Sequence, residues 1–459
     1  MELTNEQKDA IKKIKRDKNI FISGQAGTGK SFLIKYIENY SKTMEKTLYL
    51  TASTGCAACL IGGTTLHSWA GVGLGQDPIK KLVRTVRRNF GCMAKWRKTD
   101  ILVIDEISMI SGEYLEKLNA IGKIIRCSQR PFGGIQVIAI GDFFQLPPIA
   151  KEDEEHPFCF ETDTWNELFN SSHGTSLILK KNMRQTDLFF QEQLKKIRTA
   201  DIDDEVNKML WDRVKITKKI NGNYGDIMPT KLLPLRKSVD KINETNLEAL
   251  IQEHKLKEHN YSTEFTFMPD DIEKSFSDEE QIKVQKFVES NGQPQINLRL
   301  CVGAQVMLIH NLCIDKGLVN GSRGIIVGFD EENPCVKFLD GKSYTINFNI
   351  WNIVHDKGIV EYKQIPLRLA WAVSQHKSQG SSLDMIEVDI GPNIFEYGQT
   401  YTTLSRVRSL DGLYITRYAK DRIKSHPKVK EFYKNVKEQL ENYVDKSSIE
   451  RFFSRSHKP

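Results

Sequence analysis

Short apolar runs broken by polar, glycine-rich turns set the rhythm of the first third of the chain. Residues 20–23, 47–50, 101–104 and 136–140 predict buried strands, with amphipathic stretches suited to helices between them. Alternation of this kind predicts a parallel sheet with helices on both faces. A second α/β pattern starts near Ser176-Leu177-Ile178-Leu179, breaks off from about 243 to 362, and resumes at 364–372. The interruption carries its own β signals. Residues 324–329 predict a strand, and 335–339 with 343–348 predict a hairpin on the two-residue turn Asp340-Gly341. Residues 270–289 read as a polar loop and an exposed helix. Val429, Phe432, Tyr433, Val436, Leu440, Tyr443 and Val444 recur at helical spacing, which predicts one docked amphipathic helix. The expected α/β bodies are 1–165, and 166–242 with 363–425. The interrupting module is 243–362, and 426–459 is a helix and frayed tail.

Size and charge narrow the class. A chain of 459 residues is long enough for several domains. Its composition, 39% hydrophobic and 27% charged, is that of a globular protein, and its net charge of +7 is compatible with a nucleic-acid partner. No run of 18 apolar residues occurs, so no membrane span is expected. Glu2 and Asp9 are acidic and no apolar core follows them, so no leader is expected. Residues 79–98 carry eight lysines and arginines and no acid, within an insert at about 62–98. Two readings stand open there: a solvated helix face, or a surface against a phosphate backbone. Cys56 and Cys59 have metal-like spacing without a second pair, and the eight cysteines are expected as packed thiols in a reducing compartment.

The candidate chemistry lies at two strand ends. Gly24-Gln25-Ala26-Gly27-Thr28-Gly29-Lys30-Ser31 fits the phosphate-cradling loop, placed between a strand and a helix. Its glycines let backbone N–H groups turn to phosphates, and the helix N-terminus adds its dipole. Lys30 should reach the β- and γ-phosphates, and Ser31 and Asp105 should hold Mg²⁺. Glu106, next to Asp105, is placed to activate or orient water, which points to hydrolysis of a nucleoside triphosphate. Gly141-Asp142-Phe143-Phe144-Gln145-Leu146-Pro147-Pro148 follows another core strand. Gln145 can feel the γ-phosphate, and Phe143 and Phe144 offer two rings for base stacking, at least one of them expected in the core. Trp69, Trp351 and Trp371 are expected in the core. Arginines of the second α/β body can act across a cleft.

The whole series resembles the PIF (petite integration frequency) family of superfamily 1 DNA helicases, relatives of RecD, from Leu3 to about Tyr414. The resemblance rests on the two motifs above and on several more. They are Leu3-Thr4-Asn5-Glu6-Gln7, Thr51-Ala52-Ser53-Thr54-Gly55, Gly63-Thr64-Thr65-Leu66-His67-Ser68-Trp69, and Pro131-Phe132-Gly133-Gly134-Ile135-Gln136. Further along come Leu179-Lys180-Lys181-Asn182-Met183-Arg184-Gln185, Gly303-Ala304-Gln305-Val306-Met307 and Asn320-Gly321-Ser322-Arg323-Gly324. It implies two RecA-like P-loop NTPase domains with small inserts, one a β-barrel of Src-homology-3 type. It also implies a monomer using ATP and Mg²⁺, moving 5′ to 3′ on single-stranded DNA and unwinding tailed or forked duplexes in replication, repair or recombination. By the same resemblance Gln7 would contact adenine, and Arg184 and Arg406 would be arginine fingers, with Arg408 the alternative to Arg406. Thr51, Ser53, His67, His376, Lys377 and Ser378 would lie along DNA, and Gln379 and Gly380 would link that strand to the nucleotide. His67 and His376 have a structural alternative. Residues 152–155, 261–269 and the C-terminal helix match nothing in that pattern. A DNA-stimulated remodeller that does not unwind, and an RNA helicase, are the other readings.

Overall fold

The computed structural model describes all residues except 1–2, 149–155, 173, 186, 223, 234–235, 270–274, 293, 314–315, 356, 376–377, 379–380 and 456–459. The first body is a six-stranded parallel sheet built from β1 (Asn19–Gly24), β2 (Leu48–Ala52), β3 (Thr64–Thr65), β4 (Ile101–Asp105), β5 (Gln136–Gly141) and β6 (Gly174–Leu179), in the order β3-β2-β4-β5-β1-β6. The strands β1, β4 and β5 are buried along their whole length, as continuous apolar runs covered on both faces must be. Because they are parallel neighbours, the loops after β4, β5 and β1 leave from one edge of the sheet. Ligands bind outside that carboxyl edge in open α/β sheets.

The placement of β6 corrects the expected boundary. It pairs in register with β1, from Asn19 opposite Gly174 to Gly24 opposite Leu179, so 174–179 belong to the first body. The second body has its own parallel sheet, in the order Ala372–Ser374, Thr230–Leu233, Ile386–Ile390, Leu413–Tyr418. Residues 364–372 also divide differently from the expectation: Leu367–Leu369 pairs antiparallel with Gln305–Leu308 of the inserted barrel, and the second sheet resumes only at Ala372.

The inserted module is a five-stranded antiparallel sheet around Val306, Leu308, Ile326, Val336 and Phe338, with a three-stranded sheet beside it. Its hairpin closes on three residues, not two. Phe338 N–H donates to the Lys342 carbonyl, and Gly341, at φ 79°, takes the left-handed position of a bulged turn. Helix Asp278–Asn291 is mostly exposed, as expected, but docks through one stripe: Val284 and Val288 are buried against Ile353, Val360 and Tyr362. The 62–98 stretch shares the first body's core through Trp69, Leu82, Val83, Val86 and Trp96, while Lys80, Arg84, Arg87, Arg88, Arg97 and Lys98 face outward. Trp69 and Trp371 are buried and Trp351 is half-buried. The C-terminal helix Pro427–Arg455 docks through Val429, Tyr433 and Val436; the side chains of Tyr443 and Val444 lie outside the described residues. Cys56 and Cys59 are half-buried and neither forms a disulfide. Among the described residues no helix is long and apolar enough to cross a membrane.

Candidate nucleotide site and nucleic-acid face

The phosphate loop runs from the end of β1 to helix α2 (Lys30–Thr43). Gly27 and Gly29 sit at φ 85° and 79°, where a side chain is strained. A Cβ on Gly27 would lie 2.5 Å from Arg184 Cβ and 2.6 Å from Asn182 Oδ1, so the loop is also too closely covered for a larger residue. Lys30 Nζ donates to the carbonyls of Gly24 and Gln25, at 2.8 and 3.0 Å, and the Thr28 hydroxyl donates to the Gln25 carbonyl at 2.9 Å. Burial lowers the Lys30 pKa, opposed by Asp142, Glu106 and Asp105. Phosphate oxygens would give this buried ammonium direct anionic partners in place of the two carbonyls. Ser31 is exposed on the first turn of α2. Gln7 is reached by a capping box: Thr4 caps helix α1 (Asn5–Ile14), and Gln7 closes it. The remaining Gln7 donor lies 3.4 Å from the Thr28 carbonyl and 3.5 Å from that of Gly29, holding the underside of the loop.

The acids stand at the end of β4. Asp105 is buried and accepts the Glu106 N–H at 2.9 Å. Glu106 is at φ 51°, a left-handed conformation rare for a residue with a side chain, and its Oε2 is buried without a hydrogen-bond partner among the described residues. An acceptor kept free beside a phosphate loop suits a group that takes a proton from water. Burial, then Glu106, pushes the Asp105 carboxyl up to about 7 from its usual 3.8. A carboxyl whose folded pKa is raised favours the fold while protonated, and that stabilisation is lost as pH rises through the folded value. In the nucleotide-free chain Asp105 therefore contributes a loss of stability as pH rises from 3.8 towards about 7, read as the difference in melting temperature between the native chain and Asp105→Asn. Asp105→Asn should abolish this loss and melt above the native chain at neutral pH and beyond. Thermal melts across that range check it, and an asparagine variant that melts below the native chain at pH 8 would sink it.

The arginines come from two places. Arg184 follows β6, so it leaves the first sheet and not the second. The Asn182 side chain accepts its N–H at 2.8 Å and also donates to the Ala26 carbonyl at 3.2 Å. Arg184 Nη1 donates across to the Ser405 carbonyl at 2.9 Å. Arg406 follows helix Gln399–Leu404 of the second body; its Nε donates to the Thr402 carbonyl at 2.9 Å and its Nη2 to Gln145 Oε1 at 3.3 Å. Burial lowers both guanidinium pKa values, that of Arg184 to about 9, with Arg406 adding to the effect. Arg408 turns elsewhere and pairs with Asp384 at 2.5 Å. Lys30, Glu106, Gln145, Arg184 and Arg406 thus converge from both bodies.

The expected DNA residues fare unevenly. The Thr51 hydroxyl is buried and donates to the Val103 carbonyl at 2.6 Å, so it is a sheet residue and not a surface contact. Phe143 is corrected too. It is 2% exposed, edge-on to Trp165 at 5.5 Å and Phe160 at 4.9 Å, because its position on the turn after β5 points into an aromatic core. Phe144 is also buried, stacked on Tyr433 at 4.9 Å, so neither ring is a base platform. The Ser378 hydroxyl turns inward to the Gln375 carbonyl at 2.8 Å. Ser53 lies beside the site through its N–H on the Asp105 carbonyl, at 3.2 Å. His67 is half-buried on Tyr114, ring centres 4.5 Å apart, and burial lowers its pKa, keeping it neutral. His376, Lys377, Gln379 and Gly380 lie outside the described residues.

Sequence reasoning missed Tyr401, whose hydroxyl accepts the Ala26 N–H at 3.0 Å, and the partners of Asp142, which are Arg198 and Tyr433. Asn182 flanks Arg184 in the quoted motif and could have been found from it. The tyrosines are hundreds of residues from the loop and carry no local signal.

A family model described as PIF1-like helicase matches residues 2–217, and one described as DNA helicase Pif1, 2B domain, matches 285–329. The ATP-dependent DNA helicase PIF1 of Danio rerio is 37% identical over 460 residues, covering 99% of this chain and 67% of its own. The chain thus spans about two thirds of that relative's length. Among solved structures, the Pif1 helicase from Candida albicans superposes with a TM-score of 0.68 at 35% identity, covering 95% of this chain and 100% of its own. The Pif1 helicase from Bacteroides in complex with ADP-AlF3 and ssDNA gives 0.60 at 27% identity, with 95% and 98% covered. With the converging site residues and two parallel-sheet bodies, these likenesses place the chain in the PIF1-like helicase family.

Proposed function

We propose that this chain is an ATP-dependent DNA helicase that moves 5′ to 3′ along single-stranded DNA and unwinds tailed or forked duplexes as a monomer, in replication, repair or recombination. The observation that carries the reading is the contact of Gln145 with Arg406 across the cleft between the two parallel-sheet bodies. A triphosphate held there would touch both bodies, so its cleavage changes how strongly they are drawn together. Lys30 and the loop amides bind the phosphates, Gln7, held under the loop, would contact adenine, and Glu106 takes the proton of the attacking water. Arg184 and Arg406 neutralise charge that develops on the transferred phosphoryl group. Ser31 and Asp105 fit Mg²⁺, which would neutralise phosphate charge when bound.

Support for the nucleic-acid face comes from a cleft of about 710 Å³ between the first body and the inserted module. Lys42, Lys46, Tyr49, Lys95, Lys283 and Phe287 line it together with Glu38, which pairs with Lys42, while Lys46 pairs with Asp17. Cations with interleaved rings suit backbone phosphates and stacked bases, with little sequence preference. The Bacteroides relative was solved with ssDNA and ADP-AlF3. His376 and Lys377 are proposed to lie along the strand, and Gln379 and Gly380 to link it to the nucleotide.

Displacement of a labelled strand from duplexes with a 5′ or a 3′ single-stranded tail tests the reading. ATP-driven unwinding of the 5′-tailed duplex alone is the expected result. Unwinding from the 3′ tail alone would reverse the polarity. DNA-stimulated ATPase without displacement would favour a remodeller, and stimulation by RNA over DNA an RNA helicase.

A further inference from the structure

The C-terminal helix, which no motif accounts for, reaches into the nucleotide cleft through one side chain. The Tyr433 hydroxyl shares a hydrogen bond with the Ser23 hydroxyl at 2.5 Å, accepts the Phe143 N–H at 3.1 Å and donates to Asp142 Oδ1 at 3.3 Å. Ser23 is the last side chain of β1 before the phosphate loop begins. Asp142 and Phe143 open the turn that carries Gln145, whose own N–H donates to the Asp142 carbonyl at 2.9 Å. One phenol therefore ties the loop-bearing strand to the turn that presents Gln145.

The second body grips the same turn. Arg198 donates to both Asp142 oxygens, at 2.9 and 2.7 Å, and its guanidinium lies 4.2 Å over the Phe144 ring and 5.0 Å from that of Tyr433. Asp142 is fully buried, and its charge is compensated by Arg198, by the Tyr433 hydroxyl and by the Phe144 N–H, which donates to Oδ1 at 3.2 Å. Gly398, at the start of the helix that leads to Arg406, packs so closely that a Cβ there would lie 2.4 Å from the Phe144 carbonyl and 2.6 Å from that of Gln145. The helix around Tyr433 is anchored on both sides. Phe432 stacks on Phe160 of the first body at 4.4 Å, and Lys430 pairs with Asp201 of the second at 3.3 Å. The segment that senses the nucleotide is thus held by three separate elements, and Tyr433 is the only one of the three outside both sheet bodies.

We propose that Tyr433 is a positioning residue of the ATPase centre: its hydroxyl sets Gln145 against the phosphate loop, so the C-terminal helix controls the hydrolytic step. The inference rests on the ATPase reading above. Tyr433→Phe keeps the ring on Phe144 and removes only the hydroxyl. With saturating single-stranded DNA, kcat for ATP is expected to fall about tenfold while KM holds, the worth of one buried hydrogen bond used in the transition state. ADP affinity should be unchanged, and affinity for ADP-aluminium fluoride should weaken by the same factor as kcat. In a Gln145→Ala background, read by single-turnover hydrolysis, Tyr433→Phe should cost nothing further. An unchanged kcat with only a lower melting temperature would make Tyr433 a mere strap and overturn the proposal. So would an undiminished tenfold loss in the Gln145→Ala background. A native chain with no DNA-stimulated hydrolysis would instead remove the ATPase reading itself.

Discussion

Arg406→Ala is expected to lower the kcat of DNA-stimulated ATP hydrolysis by about 10³-fold or more, the usual worth of an arginine that neutralises the transferred phosphoryl group. The effect should fall on kcat more than on KM, because that charge is largest in the transition state. Geometry favours Arg406 over its neighbour. Its Nη2 meets Gln145 of the opposite body, whereas Arg408 Nη1 is committed to Asp384. Its guanidinium is held in a dry site at a cost in hydration, which a bound triphosphate would offset. Removing Arg408 would mainly loosen the segment beside Leu383, which pairs with Val407. Steady-state kinetics of both alanine variants check this. A larger loss from Arg408→Ala would exchange the two roles, and an unchanged kcat in both would leave the site without this function.

Glu106→Gln is expected to bind ATP and turn it over about 10²–10⁴-fold more slowly, the worth of general-base help. Glutamine keeps the shape of the side chain but cannot take up a proton. The left-handed backbone at Glu106 directs the carboxylate to a position where Oε2 meets no partner among the described residues, which is costly unless a ligand uses it. The substitution has a second, independent consequence. Glu106 is the largest charged contribution raising the Asp105 pKa, after burial. Removing its charge should move the ionisation of Asp105 down towards the usual carboxylate range. The pH at which this loss of stability is complete should move down with it, and the total loss should shrink. Near-normal turnover would take Glu106 out of the reaction, and an unmoved stability profile would separate it from Asp105.

Much of the site was legible because its parts are local. A glycine-rich loop between a strand and a helix needs only its own residues to place Lys30 and Ser31, and an apolar strand ending in two acids places Asp105 and Glu106. The parallel order of the sheet then brings these ends together without further information. Contacts that depend on facing direction were misread. Thr51 and Phe143 sit in motifs that resemble DNA-binding and stacking elements. Whether a residue at a strand end looks outward or into the core depends on which layer covers it, and that layer is supplied from elsewhere. For Phe143 it comes from Phe160, Trp165 and Phe432.

Domain boundaries divided in the same way. An apolar run such as 176–179 announces a strand but not the sheet it joins, since backbone pairing is indifferent to sequence distance. Its register against β1 assigns it to the first body and turns Arg184 into a residue of that body's edge. The sequence by itself determined the loop, the paired acids, the alternating α/β pattern and the inserted β module, all encoded by short-range spacing and hydrophobic periodicity. Only the tertiary structure decided that Gln145 meets Arg406, that Arg198 neutralises Asp142, and that Tyr433 touches Ser23, 410 residues away. Those are contacts between groups that each satisfy a buried partner's charge or hydrogen bond, and they exist only after the core has closed around them.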